Sequence, residues 1–271
     1  MNYSVLMSVY YKENPTFLRN AMKSMWNQTT PTNDFVLVCD GPLTNELDAV
    51  IDEMKLKHLD SLSVIRLEKN VGLGNALNKG LRECKNELVA RMDSDDISIS
   101  KRCEKQMTCF ANNTELSICS GTILEFRGTI DDIVGKRELP ESNEKIIEFS
   151  RKRNPFNHPA VMFKKSAVLD AGGYNEKYHL FEDYYLWVRM LMKGYKGYNI
   201  SEPILYMRTP EDLYMRRGGR KYAKDMLSFH RWMKSIGWIN IGTFLTGAVP
   251  HALVCILPNT LRGQIYKTLH A

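Results

Sequence analysis

The chain has 271 residues, 44% of them hydrophobic and 25% charged, with a formal net charge of +6. That length and apolar content exclude a disordered chain and a disulfide-held miniprotein, and fit one large α/β domain or a domain with an appendage. The charge is uneven: residues 1–210 balance 28 basic against 28 acidic side chains, while residues 211–271 carry nine against three, so the excess lies in the tail. Such asymmetry points to an anionic partner: nucleic acid, phospholipid or a diphosphate. Met1-Asn2-Tyr3 leads straight into a strand-like run, without the basic stretch and small-residue cleavage site of a signal peptide. Cys39, Cys84, Cys103, Cys109, Cys119 and Cys255 form no CxxC pair, and several sit in apolar runs, which reads as reduced, buried thiols.

Val5-Leu6-Met7-Ser8-Val9-Tyr10-Tyr11 is a β-rich run that fits a buried first strand. Lys12-Glu13-Asn14-Pro15 ends it, and Pro15 can open a helix in which Phe17, Leu18, Ala21, Met22 and Met25 recur at helical spacing. Residues 34–41 predict a second strand that closes on Asp40-Gly41. Leu47, Val50, Ile51 and Met54 mark a helix, residues 62–67 a third strand, and Leu73, Ala76, Leu77, Gly80 and Leu81 another helix. Residues 88–92 are the fourth strand. The rhythm β-α-β-α-β-α-β predicts a doubly wound, mostly parallel sheet with right-handed crossovers.

Polar residues gather where these strands end. Ser8, Tyr10 and Glu13 follow the first, and Asp40 follows the second. Asn70-Val71-Gly72-Leu73-Gly74-Asn75 follows the third and enters a helix, where glycines allow close approach and the helix N-terminus favours anions. Arg91-Met92-Asp93-Ser94-Asp95-Asp96 follows the fourth. Open α/β sheets bind ligands along that edge. Clustered carboxylates suit Mg²⁺ or Mn²⁺ carrying a phosphorylated substrate; they also suit the cap of a following helix. Taken alone, Asp40-Gly41, Gly72 and Gly74 read as turn residues. No GxGxxG follows the first strand and no GxxxxGK[ST] is present, which excludes a dinucleotide fingerprint and a P-loop.

Further along, residues 100–110 predict a helix, 118–126 a strand, 127–140 a loop or hairpin, and 143–149 a short helix. Phe156-Asn157-His158-Pro159 precedes a strand at 160–163, and a helix at 166–171 leads into the turn Gly172-Gly173-Tyr174-Asn175. Residues 178–181 read as a mobile segment before a helix that starts at Glu182-Asp183 and is marked by Leu186, Met190 and Leu191. Acids there serve capping and the helix dipole, or general-base catalysis. Residues 204–208 are the last strand of the body. In the tail, the basic cluster Arg216-Arg217-Gly218-Gly219-Arg220-Lys221 precedes a helix at 222–234. Residues 239–257 are mainly apolar, interrupted by Asn240, Pro250 and His251, and marginal in length for a membrane span.

Seven ordered blocks carry a family resemblance over about residues 3 to 208: Leu6-Met7-Ser8-Val9-Tyr10; Val38-Cys39-Asp40-Gly41; the run from Asn70 to Asn78; Ala90-Arg91-Met92-Asp93-Ser94-Asp95-Asp96; Asn157-His158-Pro159-Ala160-Val161-Met162-Phe163; Gly172-Gly173-Tyr174; and Glu182-Asp183-Tyr184-Tyr185-Leu186-Trp187. In these the chain resembles the family 2 glycosyltransferases with the GT-A fold, as found in bacterial O-antigen and capsule assembly. The resemblance implies a GT-A catalytic domain over 1–210, with a nucleotide half at 1–97 and an acceptor half at 98–210, followed by a helical, basic extension at 211–271.

It also implies roles. Ser8, Val9, Tyr10, Glu13 and Asp40 surround the nucleoside of a UDP-sugar, and the turn holding Asn70, Gly72 and Asn75 closes over the base. Asp93, Ser94 and Asp95 form the DxD element. Asp95 is then the direct ligand of Mn²⁺ or Mg²⁺, Asp93 binds the metal or the ribose, and Asp96 lies behind them or caps a helix. Arg91 lies near the pyrophosphate, or pairs with an acid of the site. Asp183 is the general base of an inverting displacement, with Glu182 as its neighbour at the acceptor. His158 contacts the acceptor or diphosphate, or is a buried hydrogen-bonding residue. Tyr174 lies on the acceptor side, and Arg208 approaches the diphosphate.

The implied reaction moves a hexose, galactose or glucose, in β linkage onto a polyprenyl-diphosphate-linked N-acetylhexosamine or oligosaccharide. That work takes place at the cytoplasmic face of the membrane. The tail then reads as an interfacial amphipathic helix or as a bundle packed on the catalytic domain. A nucleotidyltransferase would share the sheet and the carboxylates, but Lys12-Glu13-Asn14-Pro15 stands where its glycine-rich basic loop should be. A non-catalytic nucleic-acid- or membrane-binding protein would explain the basic tail, yet the neutral body carries no nucleic-acid-binding motif.

Overall fold

The computed structural model describes residues 1–178, 180–209 and 218–257. In its first half, β1 (Tyr3–Val9), β2 (Asp34–Cys39), β3 (Leu62–Arg66) and β4 (Leu88–Met92) alternate with α1 (Pro15–Trp26), α2 (Asn45–Lys57) and α3 (Leu73–Glu83). The four strands are parallel. The chain winds from β1 out through β2 to β3, then returns to place β4 on the other side of β1. Strand order therefore reverses between β1 and β4, where a crevice opens at the C-terminal edge of such sheets.

Side-chain alternation explains the two helical layers. Val5, Met7 and Val9 of β1 and Phe35, Leu37 and Cys39 of β2 share one core cluster with α1 and α2. Leu6, Val36, Val38 and Val89 face the other way, onto α3 and the later helices. Arg91 is two residues beyond Val89, so it shares that second face. It is a fully buried cation in a strand interior, with only 1% of its surface exposed.

The second half adds β5 (Ile97–Ser98), α4 (Arg102–Asn112), β6 (Leu116–Phe126), β7 (Ile133–Arg137), α5 (Asn143–Phe149), β8 (Met162–Lys164), α6 (Lys165–Asp170), α7 (Glu182–Met192) and β9 (Lys196–Arg208). β8 joins β4 antiparallel and β6 joins β8 antiparallel, extending the order to β3-β2-β1-β4-β8-β6-β9-β5. Antiparallel pairing thus enters with β8, while β6 and β9 again run parallel to each other. Residues 127–140 resolve as a hairpin, since β7 pairs antiparallel with β6. β9 starts at Lys196, eight residues before the expected 204, and its pairing with β6 shifts register around Gly121 and Thr122, opposite Pro203. That irregularity hides the period-two pattern.

Two further expectations need correction. Asp96 caps no helix: the two-residue β5 follows it directly, and α4 begins only at Arg102. Tyr178 and Phe181 are both buried, so the segment before α7 is anchored at two points rather than loose. His179 lies outside the described residues.

In the tail, α8 (Arg220–Ser235) is followed by α9 (Ile241–Thr243), a π-helical turn (Phe244–Ala248) and α10 (Val249–Ile256). α8 buries Ala223, Met226, Phe229 and Met233 in one cluster with Tyr178, Phe181, Tyr184, Tyr185 and Val188. Phe229 is the hub, with ring centroids 4.8 Å from Tyr184, 5.4 Å from Tyr178 and 5.5 Å from Phe181. The apolar face of α8 therefore covers α7, and its Met226, Phe229 and Met233 are not available to lipid. Arg216 and Arg217 of the basic cluster, and everything past residue 257, lie outside the described residues. Among the described residues no helix is long and apolar enough to cross a membrane. All six cysteines are free thiols; five are buried and Cys109 is half-buried.

Candidate active site

The loops at the C-terminal edge of the parallel strands are joined by side-chain hydrogen bonds. Glu13, after β1, accepts from the hydroxyl of Ser94, after β4. Asp40, after β2, accepts from the backbone N–H groups of Val71 at 2.7 Å and Gly72 at 3.2 Å. Asn70 Nδ2 donates to the Asp40 carbonyl at 3.2 Å, and Asn75 Nδ2 to the Val71 carbonyl at 2.9 Å. Gly41 and Gly72 hold this junction at φ +94° and +89°, a region side chains disfavour. A Cβ on Gly41 would stand 2.7 Å from the Asn70 nitrogen, and one on Gly72 would stand 2.1 Å from Glu176 Oε1. Ser8 and Val9 end β1, and Tyr10 beyond them is 41% exposed.

The three acids after β4 have different surroundings. Asp93 is taken up by Arg91, whose Nη1 donates to Oδ2 at 2.8 Å and whose Nη2 donates to Oδ1. Burial works against the charge of Arg91, but Asp93, Tyr174 and Asp96 hold its guanidinium above the ordinary range. Of the two roles open to Arg91, pairing with an acid is the one its geometry makes. Asp96 is buried; its Oδ1 accepts from the Arg208 backbone N–H at 2.8 Å, while Oδ2 has no hydrogen-bond partner. Burial, then Asp95 and Asp93, push the Asp96 carboxyl well above the usual carboxylate range. Asp95 is pushed up to about 7, by burial first and then by Asp93 and Glu13. Arg208 lies 3.7 Å over the ring of Phe17 and 4.5 Å from that of Phe126, and gives its Nε–H to the Asp95 carbonyl rather than to a carboxylate.

This donor set suits a divalent cation. It is all oxygen and acid-rich, and the mutual repulsion of Asp93, Asp95 and Glu13, which helps push Asp95 up, is what a hard cation relieves. Asp95 is the best placed, because Asp93 is already ion-paired and Asp96 is sealed in. Among the described residues no group of three or more His, Cys, Asp and Glu side chains is arranged to hold a metal. The remaining positions would fall to substrate oxygens and water.

A second pair of acids stands at the start of α7. Glu182 and Asp183 form its first turn, and Phe181 before them makes no side-chain cap. Asp183 Oδ1 accepts from the Tyr184 N–H at 2.7 Å, and Oδ2 accepts from Asn154 Nδ2 at 2.7 Å. Burial, then Asp183, push the Glu182 carboxyl up to about 7, and Arg91 pulls against them. Tyr174 is buried, and its phenol oxygen lies 3.0 Å from His158 Nε2. Burial raises that phenol, and it senses Arg91, Asp183, Asp93 and Glu182 together. Burial and then Arg91 hold His158 well below its ordinary value, so the ring is neutral near pH 7. His158 is therefore a half-buried, neutral hydrogen-bonding residue rather than a cation.

The candidate residues thus fall into three groups: Ser8, Glu13, Asp93–Asp96 and Arg208 at the β4 end; Asp40, Asn70, Gly72 and Asn75 at the β3–α3 turn; and Arg91, His158, Tyr174, Glu182 and Asp183 around α7. The Arg91–Asp93 pair joins the first to the third. Three residues not singled out on their own complete the joins. Asn154 orients Asp183. Asn78 grips Tyr174 from both sides, giving Nδ2–H to its carbonyl at 2.7 Å and accepting its N–H at 2.8 Å. Glu176 reaches the Asn75 N–H at 3.4 Å. Asn154 stands before Pro155, an ordinary loop signal, and nothing in its neighbourhood in the chain marks it as the partner of an acid 29 positions away.

Comparisons with known proteins give the family and the fold. The model described as Glycosyl transferase family 2 matches residues 4–172. A UDP-Gal:alpha-D-GlcNAc-diphosphoundecaprenol beta-1,3-galactosyltransferase from Escherichia coli is 37% identical over 265 residues, 98% of this chain and 95% of that one. An amylovoran biosynthesis glycosyltransferase, AmsE, from Erwinia amylovora is 38% identical over 244 residues, 88% of each chain. Among solved structures, a mannosyltransferase from Pyrobaculum calidifontis in complex with GDP-Man and Mn²⁺ superposes with a TM-score of 0.64 at 17% identity, over 96% of this chain and 71% of that one. That likeness gives the fold, GT-A. The sheet, the ordered strand-end residues and the matched family lead to one assignment: the chain belongs to glycosyltransferase family 2.

Proposed function

We propose that this transferase is inverting and divalent-cation-dependent, and moves a hexose from a UDP-sugar to an N-acetylhexosamine carried on polyprenyl diphosphate. The observation that carries this reading is the placement of Arg91 and Tyr174. Both are buried, and the Tyr174 phenol senses Asp93 of the β4 end together with Glu182 and Asp183 of α7, which supports reading the two acidic groups as parts of one site. Galactose is the leading donor sugar, because the Escherichia coli relative, similar over nearly the whole chain, is named for UDP-Gal and a diphosphoundecaprenol-linked GlcNAc. Glucose is the second candidate.

In this reading Ser8, Val9, Tyr10, Glu13 and Asp40 lie around the nucleoside, and the turn with Asn70, Gly72 and Asn75 closes that end. A divalent cation on Asp95, when bound, offsets the charge that grows on the departing diphosphate. Asp183, oriented by Asn154 and the Tyr184 N–H, takes the proton of the acceptor hydroxyl. The freed oxygen attacks the sugar C1, the C1–O bond to phosphate breaks, and UDP leaves with the electron pair. One displacement turns an α-linked donor into a β-linked product. Glu182, near half-protonated at neutral pH, can donate to an acceptor oxygen.

The test is incubation of the purified protein with UDP-Gal, UDP-Glc and other UDP-sugars, Mn²⁺ or Mg²⁺, and a lipid-diphosphate GlcNAc or GalNAc analogue. Product mass identifies the sugar, and the anomeric coupling constant identifies the linkage. A β-hexoside is expected. An α-linked product, or transfer unaffected by EDTA, would sink the corresponding part of the reading.

A further inference from the structure

One strongly charged feature plays no part in the site so far. Arg151, Lys152 and Arg153 follow α5 as three consecutive exposed cations. None of them makes an ion pair among the described residues. Their backbone is ordered: the N–H of Arg151 bonds to Glu148, and those of Lys152 and Arg153 both bond to Phe149.

The run is pinned at both ends. Ser150 is buried; its carbonyl accepts from the Tyr184 hydroxyl at 2.6 Å and its hydroxyl oxygen accepts from Trp238 Nε1 at 3.2 Å. Asn154 holds Asp183 at 2.7 Å. Four residue steps span at most about 14 Å of chain. The three cations therefore bridge the helical tail, which starts its last segment just past Trp238, and the carboxylate of α7. On that segment Ile241, Leu245, Leu253 and Ile256 are each more than half exposed, and Arg153 acts electrostatically on His251 of the same segment. Lys234 lies 6.0 Å from the Phe244 ring, adding a cation at its border. An exposed apolar face rimmed by cations fits an anionic head with an alkyl chain attached.

We propose that Arg151, Lys152 and Arg153 bind the diphosphate of a polyprenyl-linked acceptor whose hydrocarbon chain lies along Ile241, Leu245, Leu253 and Ile256. The sugar on the other end of the diphosphate is then delivered to Asp183. The inference rests on the function proposed above and adds the residues that select the lipid-diphosphate end of the acceptor. A helix C-terminus also favours nearby cations, which by itself would leave acceptor affinity unchanged when they are removed.

The test measures binding of a short-chain polyprenyl diphosphate in neutral detergent by titration calorimetry, for the full chain and for R151Q/K152Q/R153Q. Three phosphate-directed cations lost should weaken the dissociation constant at least about tenfold. R151K/R153K, which keeps the charge, should retain most of the affinity. In transfer assays the KM for the lipid-diphosphate acceptor should rise in parallel, with the KM for the UDP-sugar unmoved. Unchanged binding by the triple variant overturns the proposal. So does an equal loss on phosphatidylglycerol vesicles that lack the polyprenyl diphosphate, which would make the run a reader of surface charge. So, for the apolar face, does a dimer that dissociates when Leu245 and Leu253 are made serine. Binding lost in the variant of a protein that transfers no sugar would sustain this site and refute the function. Transfer with binding unchanged in the variant would do the reverse.

Discussion

Two pairs of adjacent acids, Asp95 and Asp96 after β4 and Glu182 and Asp183 at the start of α7, have surroundings that differ in kind. At the β4 end Asp95 and Asp96 are crowded by further carboxylates, and the two nearby arginines are used elsewhere, Arg91 on Asp93 and Arg208 on a carbonyl. At the start of α7, Glu182 and Asp183 share one helical turn, where the dipole favours negative charge and Asn154 supplies a neutral donor. The first arrangement lacks positive charge and is suited to taking up a cation. The second holds one acid readily protonated beside one oriented carboxylate and is suited to moving a proton. Similar residues in similar sequence patterns are thus suited to different chemistry because of what packs around them.

The sharpest way to break this comparison is to neutralise one member on each side. Asp95→Asn and Asp183→Asn should each reduce transfer by about 10³-fold, within the range for removing a general base or an electrostatic anchor. The two should part company in thermal unfolding: stabilisation by Mn²⁺ should vanish in Asp95→Asn and persist in Asp183→Asn. Loss of the cation effect in both would mean that the acids form one site. Next in size, Phe229→Ala removes the ring on which three α7-side aromatics meet, and should cost about 3–5 kcal/mol in denaturant unfolding. A cost below 1 kcal/mol would show that α8 does not support α7.

A subtler contrast lies in pH. The folded-state value of Asp95, about 7, is raised above its unfolded value, so without cation its ionisation opposes folding. The native state binds more protons than the unfolded one between the two values, and stability should fall as pH rises from about 4 through 7. A cation that needs the ionised carboxylate should reverse the slope. The rise in Tm on adding Mn²⁺ should therefore be larger at pH 8 than at pH 5, and equal shifts would count against Asp95 as ligand. Smallest, Asn154→Ala should lower kcat by about tenfold by removing one hydrogen bond to a charged group, with the Mn²⁺ shift in Tm intact.

Much of the donor side was legible because its signals are local. Alternating apolar residues in β1, β2 and β4 meet both helical layers, so their strands are written in period two, and Asp40, the Asn70 turn and the Asp93 cluster fall at their ends. Asp183 was legible only through the ordered blocks around it. What stayed hidden depends on contacts between distant residues. An arginine next to acids does not declare which acid it grips, and Asn154 and Glu176 matter only through partners brought close by the sheet. β9 was cut short because a register shift breaks its alternation. The amphipathic pattern of α8 is the same whether lipid or protein covers it; only the aromatic face of α7 shows that protein does.

That covering helix also bears on how the molecule is made. The first four parallel strands close over contiguous sequence and can form as soon as they leave the ribosome. The helix that bears Asp183 cannot be completed then, because Phe229 and Met233 are translated some forty residues after it. Until they arrive, a nascent chain would present Tyr178, Phe181, Tyr184 and Tyr185 as an uncovered aromatic surface. Synthesis therefore finishes the four parallel strands first and the packing around Glu182 and Asp183 last.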